Sequence, residues 1–267
     1  MSGPAYWPNG DAILSGPPAE VRARASGYLS CSITINRGIE AAVAYLHSDE
    51  AFGDRREAGS ALAARLAKYK NREDLVVLAL PRGGVPVAWE VARALDAPMD
   101  VFLVRKLGVP GYRELAMGAI ASGGVRVLNA DVVGWYGIPE AVIDEVAREE
   151  QAELERRERV YRAGRPPVEL RDRIVILIDD GLATGSTMRA AVKAARTHVP
   201  KKVVVAVPVG AAETCREFIE VADEVVCART PSPFSAVGQW YRDFSETTDD
   251  EVRELLAARA ESLQKAP

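Results

Sequence analysis

An α/β fold built on a mainly parallel sheet is the architecture this sequence predicts, and three features carry the reading. Short apolar runs at Leu75–Leu80, Val101–Val104, Ile174–Ile178, Val203–Val207 and Glu224–Cys227 have the length and composition of strands buried on both faces. Helix-period segments at Arg55–Lys68, Val85–Leu95, Thr187–Thr197 and Ala211–Val221 lie among them. Strands alternating with helices make βαβ units with right-handed crossovers, and therefore a parallel sheet. At 267 residues the chain is long enough to bury a sizeable core, on a prior of about 150 residues per domain.

Composition narrows the function classes. Hydrophobic residues make up 48% and charged residues 27%, an ordinary globular balance. The 34 basic and 38 acidic residues leave a formal charge of −4, which argues against nucleic acid as the main partner. Three cysteines, Cys31, Cys215 and Cys227, are too few for a disulfide framework, and the latter two fall among apolar residues, where inert buried thiols are expected. No apolar run approaches the roughly 20 residues that span a bilayer, and the first residues lack the pattern of a secretory signal. A cytoplasmic protein with no membrane partner is the expectation.

Along the chain, residues 1 to about 50 stand apart as a Gly-, Pro- and Ser-rich extension, with helix-compatible stretches at Val21–Ala25 and Ile39–Leu46. The extension either packs on the main domain or stays mobile. Residues 51–267 form the main domain. Within it, Pro139–Tyr161 is dominated by mixed charge and reads as a solvated helix with Val142, Val146 and Leu154 on a narrow apolar stripe. A last helix from Asp249 to about Leu263 has Thr248 as its N-cap and acids in its first turn.

The chemistry concentrates where the Ile174–Ile178 run ends in two carboxylates, Asp179 and Asp180. Gly181-Leu-Ala183-Thr184-Gly185-Ser186-Thr187 follows, and a helix begins. Ligands of open parallel sheets bind at the carboxyl ends of strands. Loop amides, three hydroxyls and the positive end of a helix make an anion cradle, and Gly185 lets backbone approach a phosphate closely. The lysine and spacing of a nucleoside-triphosphate P-loop are absent. Two carboxylates would repel a phosphate, so they call for a different partner. Sugar hydroxyls, which a carboxylate accepts from, supply it. One loop thus offers a phosphate pocket beside a diol pocket, which describes a ribose 5-phosphate.

The segment Ile176-Leu-Ile-Asp-Asp-Gly-Leu-Ala-Thr-Gly-Ser-Thr187 resembles the phosphoribosyl pyrophosphate (PRPP) signature of type I phosphoribosyltransferases, its Ala-Thr-Gly variant being similar to the adenine-type loop. The resemblance extends over roughly residues 51–245. It implies a doubly wound sheet with helices on both faces, a small hood, Mg2+ held mostly by PRPP, a homodimer, and transfer of the phosphoribosyl group to a small nitrogenous acceptor. It implies that Asp179 and Asp180 orient the ribose, while Gly181 and Ala183–Thr187 bind the sugar and its 5-phosphate. Pro81-Arg82-Gly83-Gly84 matches the family's pyrophosphate loop. Val104-Arg105-Lys106 and the Gly/Pro-rich stretch to Glu114 resemble its flexible catalytic loop, placed at about 105–116, with Arg105, Lys106 and Arg113 to neutralise departing pyrophosphate. Residues 231–245 correspond to the hood. There Phe234, Trp240 or Tyr241 either stacks on the acceptor or packs the sheet edge, and Asp243 sits where some relatives place an acid near the metal.

Two departures bear on the acceptor. The 6-oxopurine enzymes carry an acid at the position of Ala183, and adenine-type relatives take a glutamate from a region that here reads Met117-Gly-Ala-Ile-Ala121, leaving Glu114 as the nearest acid. This supports a second reading, a non-catalytic PRPP-sensing regulator or sugar-phosphate binding protein. A hydrolase triad finds no support. His47 lies in the extension, and His198 closes a helix where a cation suits the dipole.

Overall fold

The structure, a computed structural model, describes residues 31–37, 39–45 and 50–264; Val21–Ala25 and His47 lie outside them. Ten strands are described: β1 (Cys31–Arg37), β2 (Ile39–Tyr45), β3 (Leu75–Ala79), β4 (Met99–Val101), β5 (Val104–Val109), β6 (Tyr112–Ala121), β7 (Val125–Leu128), β8 (Ile174–Ile178), β9 (Lys202–Val209) and β10 (Glu224–Arg229). The helices are α1 (Arg55–Arg65), α2 (Gly84–Leu95), α3 (Ala130–Trp135), α4 (Glu140–Arg162), α5 (Ser186–Thr197), α6 (Ala212–Glu217) and α7 (Asp249–Gln264).

Seven strands form one sheet in the order β1-β2-β10-β9-β8-β3-β4, parallel except for the β1–β2 pair. Strands β3 and β8 are apolar at every position because both faces of the sheet are covered. Leu75, Val77 and Ala79 of β3 face one core, with residues of α1, α2, α4 and α7. Val76 and Leu78 face the other, with residues of α5 and α6. The period of two splits a continuous apolar run between two cores. From β3 the chain moves outward to β4, then returns on the opposite side through β8, β9 and β10. The order therefore reverses between β3 and β8, which opens a crevice at their carboxyl ends.

Several expectations need correction. Ile39–Leu46 is helix-compatible in sequence, yet Ile39–Tyr45 forms a strand, pairing in parallel with Val225 and Val226 of β10. The open edge of β10 offers backbone partners that local propensity does not register. The Val101–Val104 run splits between β4 and β5, which belong to different sheets. Residues 105–116, expected as a loop, form the two arms of the β5–β6 hairpin, closed at Pro110-Gly111 with Gly111 at φ +81°. Gly allows the positive φ at the second turn residue, and Pro suits the first.

The charged helix α4 is only partly solvated. Its buried side is Ile143, Ala147 and Leu154, and Arg162 at its end is buried against Asp100, with Nε 3.0 Å from both carboxylate oxygens. Cys215 and Cys227 are not free thiols but a disulfide, because α6 folds back over β10 and brings their Cα atoms to 6.7 Å. Thr248 caps α7 through its Oγ1, which accepts from the Glu251 amide at 3.1 Å. No helix among the described residues is long and apolar enough to cross a membrane.

One buried charge cluster makes stability pH-dependent. Glu224, 2% exposed, accepts from the Tyr69 hydroxyl at 2.7 Å and Lys202 Nζ at 2.8 Å, and pairs with Lys68 Nζ at 2.8 Å. Burial pushes its carboxyl upward, but the bonds from Lys202, Lys68 and Tyr69 outweigh that and hold it below its ordinary value. A depressed carboxyl contributes stability above its unfolded pKa and loses it as pH falls through the folded one. Glu224→Gln is therefore less stable than wild type at pH 7, and the gap in thermal midpoint closes as pH falls below the usual glutamate range. A gap constant from pH 7 to 3 would refute this.

Candidate active site

The crevice is built by two strand–loop–helix units lying side by side. Ala79 of β3 is in register with Ile178 of β8, and the Leu80 amide donates to the Ile178 carbonyl at 2.8 Å. The following loops are thereby pressed together. A Cβ on Gly84 would stand 2.7 Å from the Ile178 carbonyl oxygen and 3.0 Å from Asp179 Cα. One on Gly83 would stand 2.0 Å from Asp180 Oδ2. Gly84 is thus required by the backbone that enters the 179–187 loop, and Gly83 by the Asp180 carboxylate. The Pro81–Arg82 peptide is cis.

In the 179–187 loop, Leu182 is bonded to the ends of β9, its amide donating to the Val209 carbonyl at 2.9 Å, while Thr214 Oγ1 donates to the Ala183 carbonyl at 2.7 Å. Gly185, at φ +72°, occupies the N-cap of α5 and supplies no side-chain cap; Ser186 is the first helical residue. The first turn contains no acid. The hydroxyls of Thr184 and Ser186 lie 3.3 Å apart, and both residues and Thr187 are exposed. A helix start with uncapped amides and open hydroxyls is a site for an anion.

The two carboxylates differ. Asp179 Oδ1 accepts from the Asp180 amide at 2.9 Å, and burial, then the charge of Asp180, raises its pKa well above the usual aspartate value. Burial raises Asp180 as well, against the opposing pull of Arg55. That arginine is the main residue the sequence reading missed. Its Nε and Nη2 reach Asp180 Oδ2 at 3.0 and 2.9 Å, and Nη1 donates to the Ser245 carbonyl at 2.7 Å. Tyr241 donates its hydroxyl to the Asp180 carbonyl at 2.5 Å.

The expected pyrophosphate cations are distributed unequally. Arg82 is held in an ion pair with Glu246 and lies 3.7 Å from Asp249. Arg105 is paired with Glu150 of α4. Lys106 lines a cavity of about 420 Å3 together with Ser186, Thr187, Arg189 and Lys193. Successive strand residues point to opposite faces, so β5 sends Arg105 toward α4 and Lys106 toward the start of α5. Arg113 and Glu114 lie on β6.

In the 231–245 segment, the Phe234 and Trp240 rings stack at 6.5 Å with 16° between planes. Tyr241 is 5% exposed, packed against Phe52 and Phe244, so its ring offers no free face. The segment reaches the site through Val237, whose Cγ1 would lie 2.4 Å from a Cβ on Gly181. Asp243 accepts from the Ser245 amide at 2.9 Å, which lowers its pKa, and it shares a small cavity with Arg55 and Arg56.

A doubly wound sheet with paired carboxylates and a helix-borne anion cradle at its switch point is the architecture of type I phosphoribosyltransferases. The phosphoribosyl transferase domain matches this chain over residues 54–238, and the chain belongs to that family. A Mycobacterium tuberculosis protein named "Putative phosphoribosyl transferase Rv0571c", and its counterpart MT0597 in a second strain, are 53% identical over 205 residues, covering 77% of this chain and 46% of theirs. The chain thus spans about half the length of these curated relatives. The crystal structure of TT1426 from Thermus thermophilus superposes with a TM-score of 0.71 at 43% identity, covering 78% of this chain and 98% of that one.

Proposed function

We propose that the protein binds PRPP in this crevice and transfers its 5-phosphoribosyl group to the nitrogen of a small acceptor, a nucleobase in the reading we favour. The bond from C1 of the ribose to the pyrophosphate oxygen breaks, a bond from C1 to the acceptor nitrogen forms, and the acceptor gives up a proton. The observation that supports the reading is the abutment of the 81–84 and 179–187 loops, which brings the Asp179–Asp180 carboxylates against the 81–84 turn. Asp179 and Asp180 accept from the ribose hydroxyls, and the 183–187 backbone with the Thr184, Ser186 and Thr187 hydroxyls holds the 5-phosphate. Backbone at Gly83 and Gly84, with Arg82 and Lys106, receives the pyrophosphate. Phe234 and Trp240 are the aromatic candidates for the acceptor.

Mg2+ would be held mainly by PRPP itself, with the Asp179–Asp180 carboxylates beside it, since the ion favours substrate phosphates together with one or two carboxylates. Arg55 opposes a cation at both acids, since it is ion-paired to Asp180 and shares the Asp243 cavity with Arg56. When bound, the ion offsets negative charge on the leaving group.

The ion pairs of Arg82 and Arg105 favour one competing reading, a PRPP-binding protein without transfer chemistry, because two of the expected leaving-group cations are already neutralised. Calorimetric titration with PRPP and Mg2+, followed by a pyrophosphate-release assay over a panel of free bases, separates the two. Transfer predicts micromolar binding and release that Lys106→Ala reduces roughly 100-fold, the usual scale for one transition-state charge contact. PRPP binding without release for any base supports the regulator, and no binding overturns both.

A further inference from the structure

Arg55 lies outside every segment that the PRPP resemblance assigns to ligand, yet it is the most fully engaged side chain at the crevice. Asp54 caps α1, accepting from the Arg56 and Glu57 amides at 2.8 Å, and this fixes the helix start and Arg55 as its first residue. The Arg55 side chain is 11% exposed and that of Asp180 17%. Its guanidinium lies 4.0 Å from the centroid of the Phe244 ring. The bonds to Asp180 both land on Oδ2, which leaves Oδ1 to other donors. The same guanidinium would be 3.2 Å, through Nε, from a Cβ on Gly83, and it bonds the carbonyl of Ser245. One side chain therefore joins the 179–187 loop to the segment that follows Asp243, beside the 81–84 loop.

We propose that Arg55 is a positioning residue for the phosphoribosyl donor: it anchors Oδ2 of Asp180 so that Oδ1 is presented to the ribose hydroxyls, and it ties that carboxylate to the 243–247 segment. The inference rests on the PRPP reading above. A planar guanidinium with a fixed fork holds a carboxylate oxygen in one place, which a flexible ammonium does less well. Fixing the acceptor oxygen before the sugar arrives lowers the ordering cost of binding. Arg55 acts here through Asp180 and not by touching the reacting atoms.

The test is a double-mutant cycle read by PRPP titration with Mg2+, using Arg55→Gln, Arg55→Lys, Asp180→Asn and Arg55→Gln/Asp180→Asn, with thermal melts to confirm that each is folded. Arg55→Gln is expected to weaken PRPP roughly 10- to 100-fold, the range for losing a charge-assisted bond at a buried carboxylate. Arg55→Lys should recover part of that loss. The double variant should fall short of the summed single losses, because the two residues act as one unit. For a purely structural role, the losses would add and would follow the fall in melting temperature. Additive losses, or Arg55→Gln binding within about twofold of wild type, would overturn the inference while leaving the PRPP reading intact. Wild type failing to bind PRPP would instead remove the reading on which it rests.

Discussion

Asp180→Asn should cost the protein roughly 100-fold in PRPP affinity while leaving its thermal stability level or slightly raised. The two signs come from different physics. Burial pushes the Asp180 carboxyl up even though Arg55 pulls it down, so the folded protein disfavours the ionised form relative to the unfolded chain. A carboxylate raised in this way subtracts from stability at neutral pH, and the subtraction disappears as pH falls below its unfolded value. Asparagine removes the buried charge beside Asp179, and its carbonyl can still accept from Arg55. Binding is different, because the ribose hydroxyls need acceptors. An amide in place of a carboxylate loses charge-assisted bonds of about 1.5–3 kcal/mol each. Two decades of affinity correspond to about 2.8 kcal/mol, within reach of that loss. Calorimetry for binding and a thermal melt for stability check both signs together. A variant that binds PRPP as wild type does would remove Asp180 from the donor site, and one that melts far lower would make it a structural residue.

The sheet and the carboxylate loop were legible in the sequence because each rests on local pattern. Ile174–Ile178 is apolar at every position since a central parallel strand faces two cores, and Asp179-Asp180 must follow it at the sheet's carboxyl end. The period of α1 was readable for the same reason. Arg55 was not. Its partner is 125 residues away in sequence, and nothing near Arg55 distinguishes it from Arg56 beside it, which pairs with Glu90 instead. The pairing of Arg105 with Glu150 also depends on which face of β5 meets α4, and composition gives no account of that. Ile39–Tyr45 shows the same limit from the other side, since its local pattern admits a helix and the free edge of β10 decides for a strand. Tyr241 could be recognised as an aromatic near the site. That its hydroxyl, and not its ring face, serves the loop follows only from Phe52 and Phe244 enclosing it.

Replacing Gly84 by alanine is expected to damage fold and site together, because the new methyl meets backbone and not a side chain that can turn away. Its Cβ would lie 2.7 Å from the Ile178 carbonyl oxygen, closer than real Cβ contacts come, and 3.0 Å from Asp179 Cα. That carbonyl already accepts from the Leu80 amide, a rung between the two strand ends that build the crevice. To make room, α2 must move away from β8, and the rung and the loop contact are lost together. Overpacking of this kind costs about 1–3 kcal/mol, which for a domain of about 200 residues lowers the melting temperature by roughly 2–12 °C. PRPP affinity should fall further than stability does, since the two loops separate where the diol and pyrophosphate meet. Gly83→Ala makes an instructive partner. Its methyl would meet the Asp180 carboxylate at 2.0 Å, a side chain, so the expected stability cost is smaller while the loss of PRPP binding is as large. Gly111→Ala is the control: at φ +81° with nothing within 4 Å, it carries only the backbone penalty of about 1 kcal/mol. Thermal melts and PRPP titrations of the three variants order them. Gly84→Ala melting and binding like wild type would show that the abutment of the two loops is looser than the structure places it, and the reading of the crevice as a single site would fall with it.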